Sequence, residues 1–102
     1  MELNEYQSLA QGTAVYKDQR SVDGLTYSVL ALCGETGELA NKLKKHLRAG
    51  TTPDPLVLAD ELGDCLWYVS AVAKELGFPL ESVAEQNLEK LATRKAQNRI
   101  TG

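Results

Sequence analysis

The stretch LTYSVLALCGETGELANKLKKHLR, residues 25–48, decides how the chain folds. Setting each residue about 100° round from the last puts Leu25, Val29, Leu32, Leu39, Leu43 and Leu47 within roughly one 80° stripe, the pattern of a helix with one face in a core. Gly50-Thr51-Thr52-Pro53-Asp54-Pro55 then breaks the period, with Asp54 suited to cap and Pro55 to begin the next helix. Residues 56–76 restore the stripe with Leu58, Leu62, Cys65, Leu66, Val69, Ala73 and Leu76, ending at Gly77 as a C′ residue. Two long helices joined by so short a loop pack antiparallel.

Outward from this pair the signals are weaker. Leu3, Tyr6, Leu9, Ala10 and Ala14 recur at helical spacing, so a first helix is expected over about residues 4–17, with Asn4 as its N-cap and Gly12 as a weak point. The polar residues 17–24 read as a loop, close enough to the helix pair to hold a ligand, with Ser21 or Asp23 capping the next helix. A last helix is expected over about residues 80–97, where Leu80, Val83, Ala84 and Leu91 share a face with Asn87 and Arg94. The expectation is an all-α fold, a four-helix single domain over residues 1–102, in which a chain of this size has little apolar area to spare and gains from a partner copy.

Charge and composition narrow the function classes. A formal net charge of -3 with the signs well mixed leaves no broad basic surface, which argues against a nucleic-acid duplex as partner. No apolar run approaches the roughly 18 residues of a membrane span, so no membrane partner is expected. Cys33 and Cys65, in a chain without a signal-peptide-like start, read as reduced thiols of a cytoplasmic protein, and Cys65, on the apolar stripe, as buried filler.

The chemistry lies in two acidic phrases, Glu35-Thr36-Gly37-Glu38 and Glu61-Leu62-Gly63-Asp64. In each, two carboxylates three residues apart fall on one side of a helix, at the edge of the apolar stripe. Antiparallel packing lets the two pairs face each other, and four carboxylates in one place repel unless a cation sits among them. Only hard oxygen donors, with no His or Cys at a matching position, favour Mg²⁺ or Mn²⁺ over zinc, and Mg²⁺ tends to share its sphere with phosphate oxygens, so the site reads as one for a polyphosphate substrate. The same residues also fit ordinary solvated acids paired with Lys42, Lys45 or Lys74.

The two phrases, separated by 22 residues, resemble the ExxE and ExxD signature of the MazG-like all-α nucleotide pyrophosphohydrolases. The run from Ala59 to Tyr68 is similar to that family's third-helix segment, and Asn87-Leu88-Glu89-Lys90 followed by Arg94 to its N-x-x-K-x-x-x-R segment. The resemblance implies Mg²⁺-dependent hydrolysis of a nucleoside triphosphate, often a damaged or non-standard one, to the monophosphate and pyrophosphate, a house-cleaning role in the nucleotide pool. It implies Glu35, Glu38, Glu61 and Asp64 as metal ligands, with Glu38 also the residue that orients or deprotonates the attacking water. It implies a homodimer or dimer of dimers, and an alternative substrate as in phosphoribosyl-ATP pyrophosphohydrolase. A non-catalytic nucleotide- or metal-sensing module with the same acids is the rival from another class.

Around the acids, Asn87, Lys90 and Arg94 are candidates to reach phosphate oxygens, or to form salt bridges with Glu85 or Glu89. Tyr68, one turn past Asp64, is a candidate phosphate or carboxylate partner, or simple packing. Lys42 either touches phosphate or pairs with Glu38 one turn back, the second being preferred. Trp67 points off the core stripe and suits either a stacking surface for the base or a subunit interface. His46, near the end of its helix, is read as structural.

Overall fold

The computed structural model describes residues 1–98, and within them the chain forms four α-helices and no strand: α1 Leu3–Gln11, α2 Val22–Ala49, α3 Pro55–Leu76 and α4 Leu80–Ala96. The two long helices end where local chemistry stops them. Ser21 Oγ accepts from the Gly24 N–H at 3.2 Å to start α2, and Gly50 closes it at φ 68°. Asp54 Oδ1 accepts from the Leu56 N–H at 2.9 Å to start α3, with Pro55 in its first turn. Gly77 closes α3 at φ 83°, and the Phe78 N–H returns to the Ala73 carbonyl at 2.8 Å. His46 keeps a structural place, its Nδ1 2.7 Å from Thr51 Oγ1 at the end of α2.

Two expectations for the first helix fail. α1 stops at Gln11 instead of running to residue 17, because beyond Gly12 the Thr13 N–H and hydroxyl both turn back to the Ala10 carbonyl, at 3.0 and 2.6 Å. The Trp67 indole N–H fastens that turn, donating to Ala10 O at 3.1 Å and to Thr13 Oγ1 at 3.0 Å. Asn4 does not cap α1. Its Oδ1 accepts from the Glu81 N–H at 2.9 Å, and Gln7 Oε1 accepts from the Leu80 N–H at 2.9 Å, so α1 supplies the caps that Pro79 cannot give α4.

α3 is the hub: α2 packs along it most extensively, while α1 and α4 pack on it and on each other, and α2 meets neither of them. The fully enclosed core is correspondingly small, built on Ala10, Cys65, Ala71, Ala73 and Leu80 with Ser28 and Ser70 beside them. Cys65 is buried as expected. The rest of the apolar stripes is only partly covered. Val29, Leu43 and Leu47 of α2 and Leu62, Leu66 and Leu76 of α3 remain exposed, Leu47 at 85 %. Among the described residues this 28-residue helix packs on one other helix, α3, and has more apolar face than that helix can cover. The Cα radius of gyration, 16.2 Å, exceeds the roughly 13 Å of a compact domain of this length.

Candidate metal centre

α2 and α3 bring acids from both phrases together. One carboxylate oxygen each from Glu35, Glu61 and Asp64 lies within 4.8 Å of the others. The strands of contact also fix direction: Glu35 meets Asp64, while Lys42, two turns later on α2, meets Glu61 at 2.9 Å, so the helices run antiparallel as expected. Lys42 therefore pairs across the helix interface with Glu61 and not with Glu38 along its own helix. Glu61 is the more enclosed partner, its side chain 13 % exposed, and a half-buried carboxylate holds a cation more firmly than an exposed one. Hydrogen bonding and charge from Glu61 hold the Lys42 ammonium above its usual range.

Glu38, one turn beyond Glu35, is exposed and stays outside the group of three. Its charge still reaches Glu35. Partial loss of solvent is the first cause that lifts the Glu35 carboxyl above its ordinary range, followed by the charges of Asp64, Glu61 and Glu38. The mutual repulsion anticipated for this arrangement is thus present, relieved on one side only by Lys42.

The acids open onto a hollow of about 310 Å³ lined by Glu35, Asp64, Trp67 and Tyr68. Trp67 does not stand free. It lies edge-on to Tyr68 with ring centroids 4.8 Å apart and edge-on to Tyr16 at 6.4 Å, and Tyr16 stacks on Tyr27 at 5.3 Å. Burial, a hydrogen bond with Tyr27 and the charges of Glu35 and Asp64 push the Tyr68 hydroxyl up. Tyr6 of α1 is pushed up by burial and then by the charge of Asp64. Tyr6, Tyr16 and Tyr27 were not legible as site residues: Tyr6 had an apolar position on a helix, Tyr16 fell past Gly12, and the about two turns from Tyr27 to Glu35 were the only available signal.

Asn87, Lys90 and Arg94 are not brought to the acids within one chain. They lie on α4, which has no contact with α2, and none of them lines the hollow. Lys90 borders a separate surface hollow with Gln86, Glu89 and Thr93. The alternative salt bridges with Glu85 or Glu89 do not form either among the described residues.

What the arrangement can do chemically is hold a hard divalent ion between two helices, beside an aromatic wall. The model of a known family, the MazG nucleotide pyrophosphohydrolase domain, matches residues 25–98, which takes in all three acids, Glu38 and the α4 segment. The chain belongs to that family. Its MazG match begins inside α2, so α1 and the 12–21 segment lie outside it. The chain is also 41 % identical, over 109 aligned positions that cover all of it and 96 % of the other protein, to the Gene 37 protein of Mycobacterium phage L5. No solved structure matches the chain. Among the described residues no helix is long and apolar enough to cross a membrane.

Proposed function

We propose that the chain is a divalent-metal-dependent nucleoside triphosphate pyrophosphohydrolase of the nucleotide pool, acting on standard, non-standard or damaged nucleotides. The observation that carries this reading is the convergence of Glu35, Glu61 and Asp64 on one point beside an aromatic hollow in a MazG chain. The donor set fits Mg²⁺ or Mn²⁺: all three are hard carboxylate oxygens, close enough to share one ion or a pair, and two are half-buried so that repulsion among them is costly. When bound, the metal supplies positive charge for the phosphate oxygens and lowers the pKa of water.

The chain's own residues divide the remaining work. Glu35, Glu61 and Asp64 hold the metal, and Lys42 gives up or shares Glu61. Glu38, exposed and next to the cluster but not in it, orients the attacking water and takes its proton. That water adds at a phosphorus of the α–β anhydride, the P–O–P bond breaks, and nucleoside monophosphate and pyrophosphate leave. Trp67 and Tyr68, standing edge-on to each other, each offer one ring as a contact for the base, and the Tyr68 hydroxyl a donor to phosphate.

The working form is a homo-oligomer. Support comes from the uncovered leucines of α2 and α3 and the extended shape of one chain. Asn87, Lys90 and Arg94, on the α4 segment that the MazG match covers, are the phosphate-contacting set of that assembly. Purified protein with Mg²⁺ should release pyrophosphate from at least one nucleotide in a panel of standard, deaminated, oxidised and methylated triphosphates, with phosphoribosyl-ATP included. Glu38→Gln and Asp64→Asn should each lower turnover by about a hundredfold or more with helical content intact. Release of orthophosphate alone, or nucleotide binding with no product, refutes the reading.

A further inference from the structure

The segment joining α1 to α2 is held in a shape it would not take by itself. Asp18 and Arg20 both adopt left-handed backbone angles, φ 59° and 64°, which side chains with a Cβ rarely enter unless surrounding contacts impose them. The Asp18 carbonyl accepts from the Ser21 hydroxyl, and the contacts on Arg20 come from the last turn of α3. Glu75 accepts the Arg20 N–H with both carboxylate oxygens, at 2.5 and 2.6 Å, and the Arg20 guanidinium donates to the Lys74 carbonyl. Lys74 Nζ donates to Gln19 Oε1 at 2.8 Å, and Gln19 Nε2 donates in turn to the Tyr16 carbonyl at 3.0 Å. Gly24 leaves room for this latch: a Cβ there would sit 2.5 Å from Glu75 Oε1.

The latch ends on Tyr16, and Tyr16 backs the aromatic wall of the acidic hollow without lining it. Its ring stacks on Tyr27 and meets the edge of Trp67, which lines the acidic hollow. On its other side Tyr16, with Lys17, Asp18 and Tyr27, lines a second hollow of about 410 Å³. The Tyr16 hydroxyl is buried with no hydrogen-bond partner among the described residues. An unpaired buried hydroxyl is unfavourable, so what holds Tyr16 in place is its ring contacts with Tyr27 and Trp67 and the Gln19 bond to its carbonyl. Neither Glu75 nor Gln19 bonds to Glu35, Glu61 or Asp64, so the latch can act on the wall without acting on the metal ligands.

We propose that Glu75 is a positioning residue for substrate: by latching the 17–20 segment to the end of α3 it keeps Tyr16 packed behind Trp67, whose ring lines the hollow where the base and sugar of a nucleotide lie. It sets nucleotide affinity and takes no part in the chemistry. The proposal rests on the nucleotide reading above, and the latch lies at the junction with a segment outside the family match.

Full-length wild type, Glu75→Ala, Glu75→Gln and Gln19→Ala are compared by steady-state kinetics on the best triphosphate, by Mn²⁺ titration and by the fluorescence of Trp67, the only tryptophan. Glu75→Ala should raise KM about tenfold with kcat within about twofold, and Gln19→Ala should raise it in the same direction by about threefold. Glu75→Gln, which keeps an oxygen for the Arg20 N–H, should recover most of the loss, Mn²⁺ affinity should stay unchanged throughout, and Trp67 emission should shift in Glu75→Ala. An active wild type with unchanged KM in both alanine variants overturns the latch alone, as does a loss of Mn²⁺ affinity in Gln19→Ala. A wild type that turns over no nucleotide overturns the functional reading and the latch with it.

Discussion

Glu35→Gln should have opposite effects on stability with and without metal. In the metal-free chain Glu35 shares a site with Glu61 and Asp64, their nearest oxygens within 4.8 Å. At that separation each pair of charges repels by about 0.9 kcal/mol in bulk water and by about 3.5 kcal/mol at an effective dielectric of 20. Lys42 offsets part of this at Glu61, and the exposure of Asp64 favours the lower figure. Removing the Glu35 charge should therefore stabilise the metal-free chain by about 1 kcal/mol, a rise in Tm of about 4–8 °C for a domain of this size. Saturating Mg²⁺ or Mn²⁺ at about 100 times Kd should add about 2.7 kcal/mol to wild type, and little to the variant. The pH dependence has a definite sign. Because the folded chain raises the Glu35 pKa above its ordinary 4.5, the folded state binds that proton more tightly than the unfolded one. Stability of metal-free wild type should fall as pH rises from about 4.5 through the raised folded value, and the gap to Glu35→Gln should open over that window and close below it. Thermal melts followed by circular dichroism at pH 4 to 8, with EDTA or with Mn²⁺, measure all of this. A metal-free Glu35→Gln less stable than wild type at pH 7, or an equal Mn²⁺ increment in both, would refute the account of the cluster.

Further expectations follow from single contacts. Gly24→Ala forces a Cβ against the Asp18 carbonyl and Glu75 Oε1, and should cost about 1–3 kcal/mol; a Tm within about 2 °C of wild type would contradict the packing described. Gly37→Ala should instead add up to about 1 kcal/mol, because a Cβ there meets nothing within 4 Å and glycine is a poor helix former. A concentration-dependent loss of stability in Gly37→Ala melts would mean that a second chain occupies that space. Lys42→Met should tighten Mn²⁺ binding by several-fold, since the metal no longer competes with an ammonium 2.9 Å from Glu61; weaker binding in calorimetry would speak against Glu61 as a ligand.

By itself the sequence determined what depends on near neighbours. The caps of α3 at Asp54 and Gly77 are local chemistry and came out where residue type put them, the break at Gly50 ends α2, and of Ser21 and Asp23 it is Ser21 that caps α2. The facing of Glu35 toward Glu61 and Asp64 was legible as well, because helical period and a short connection leave few other arrangements. Tertiary structure decided whatever had two local answers. Glu38 and Glu61 are both within reach of a long lysine side chain, and only the packing of α2 on α3 gives Lys42 the more enclosed partner. The length of α1 was settled by an indole 57 residues away, and the role of Asn4 by a helix whose N-cap is a proline. An apolar stripe says that a face wants cover but not whether one chain has enough surface to give it. Hence Leu47, read as core from its spacing, stands exposed.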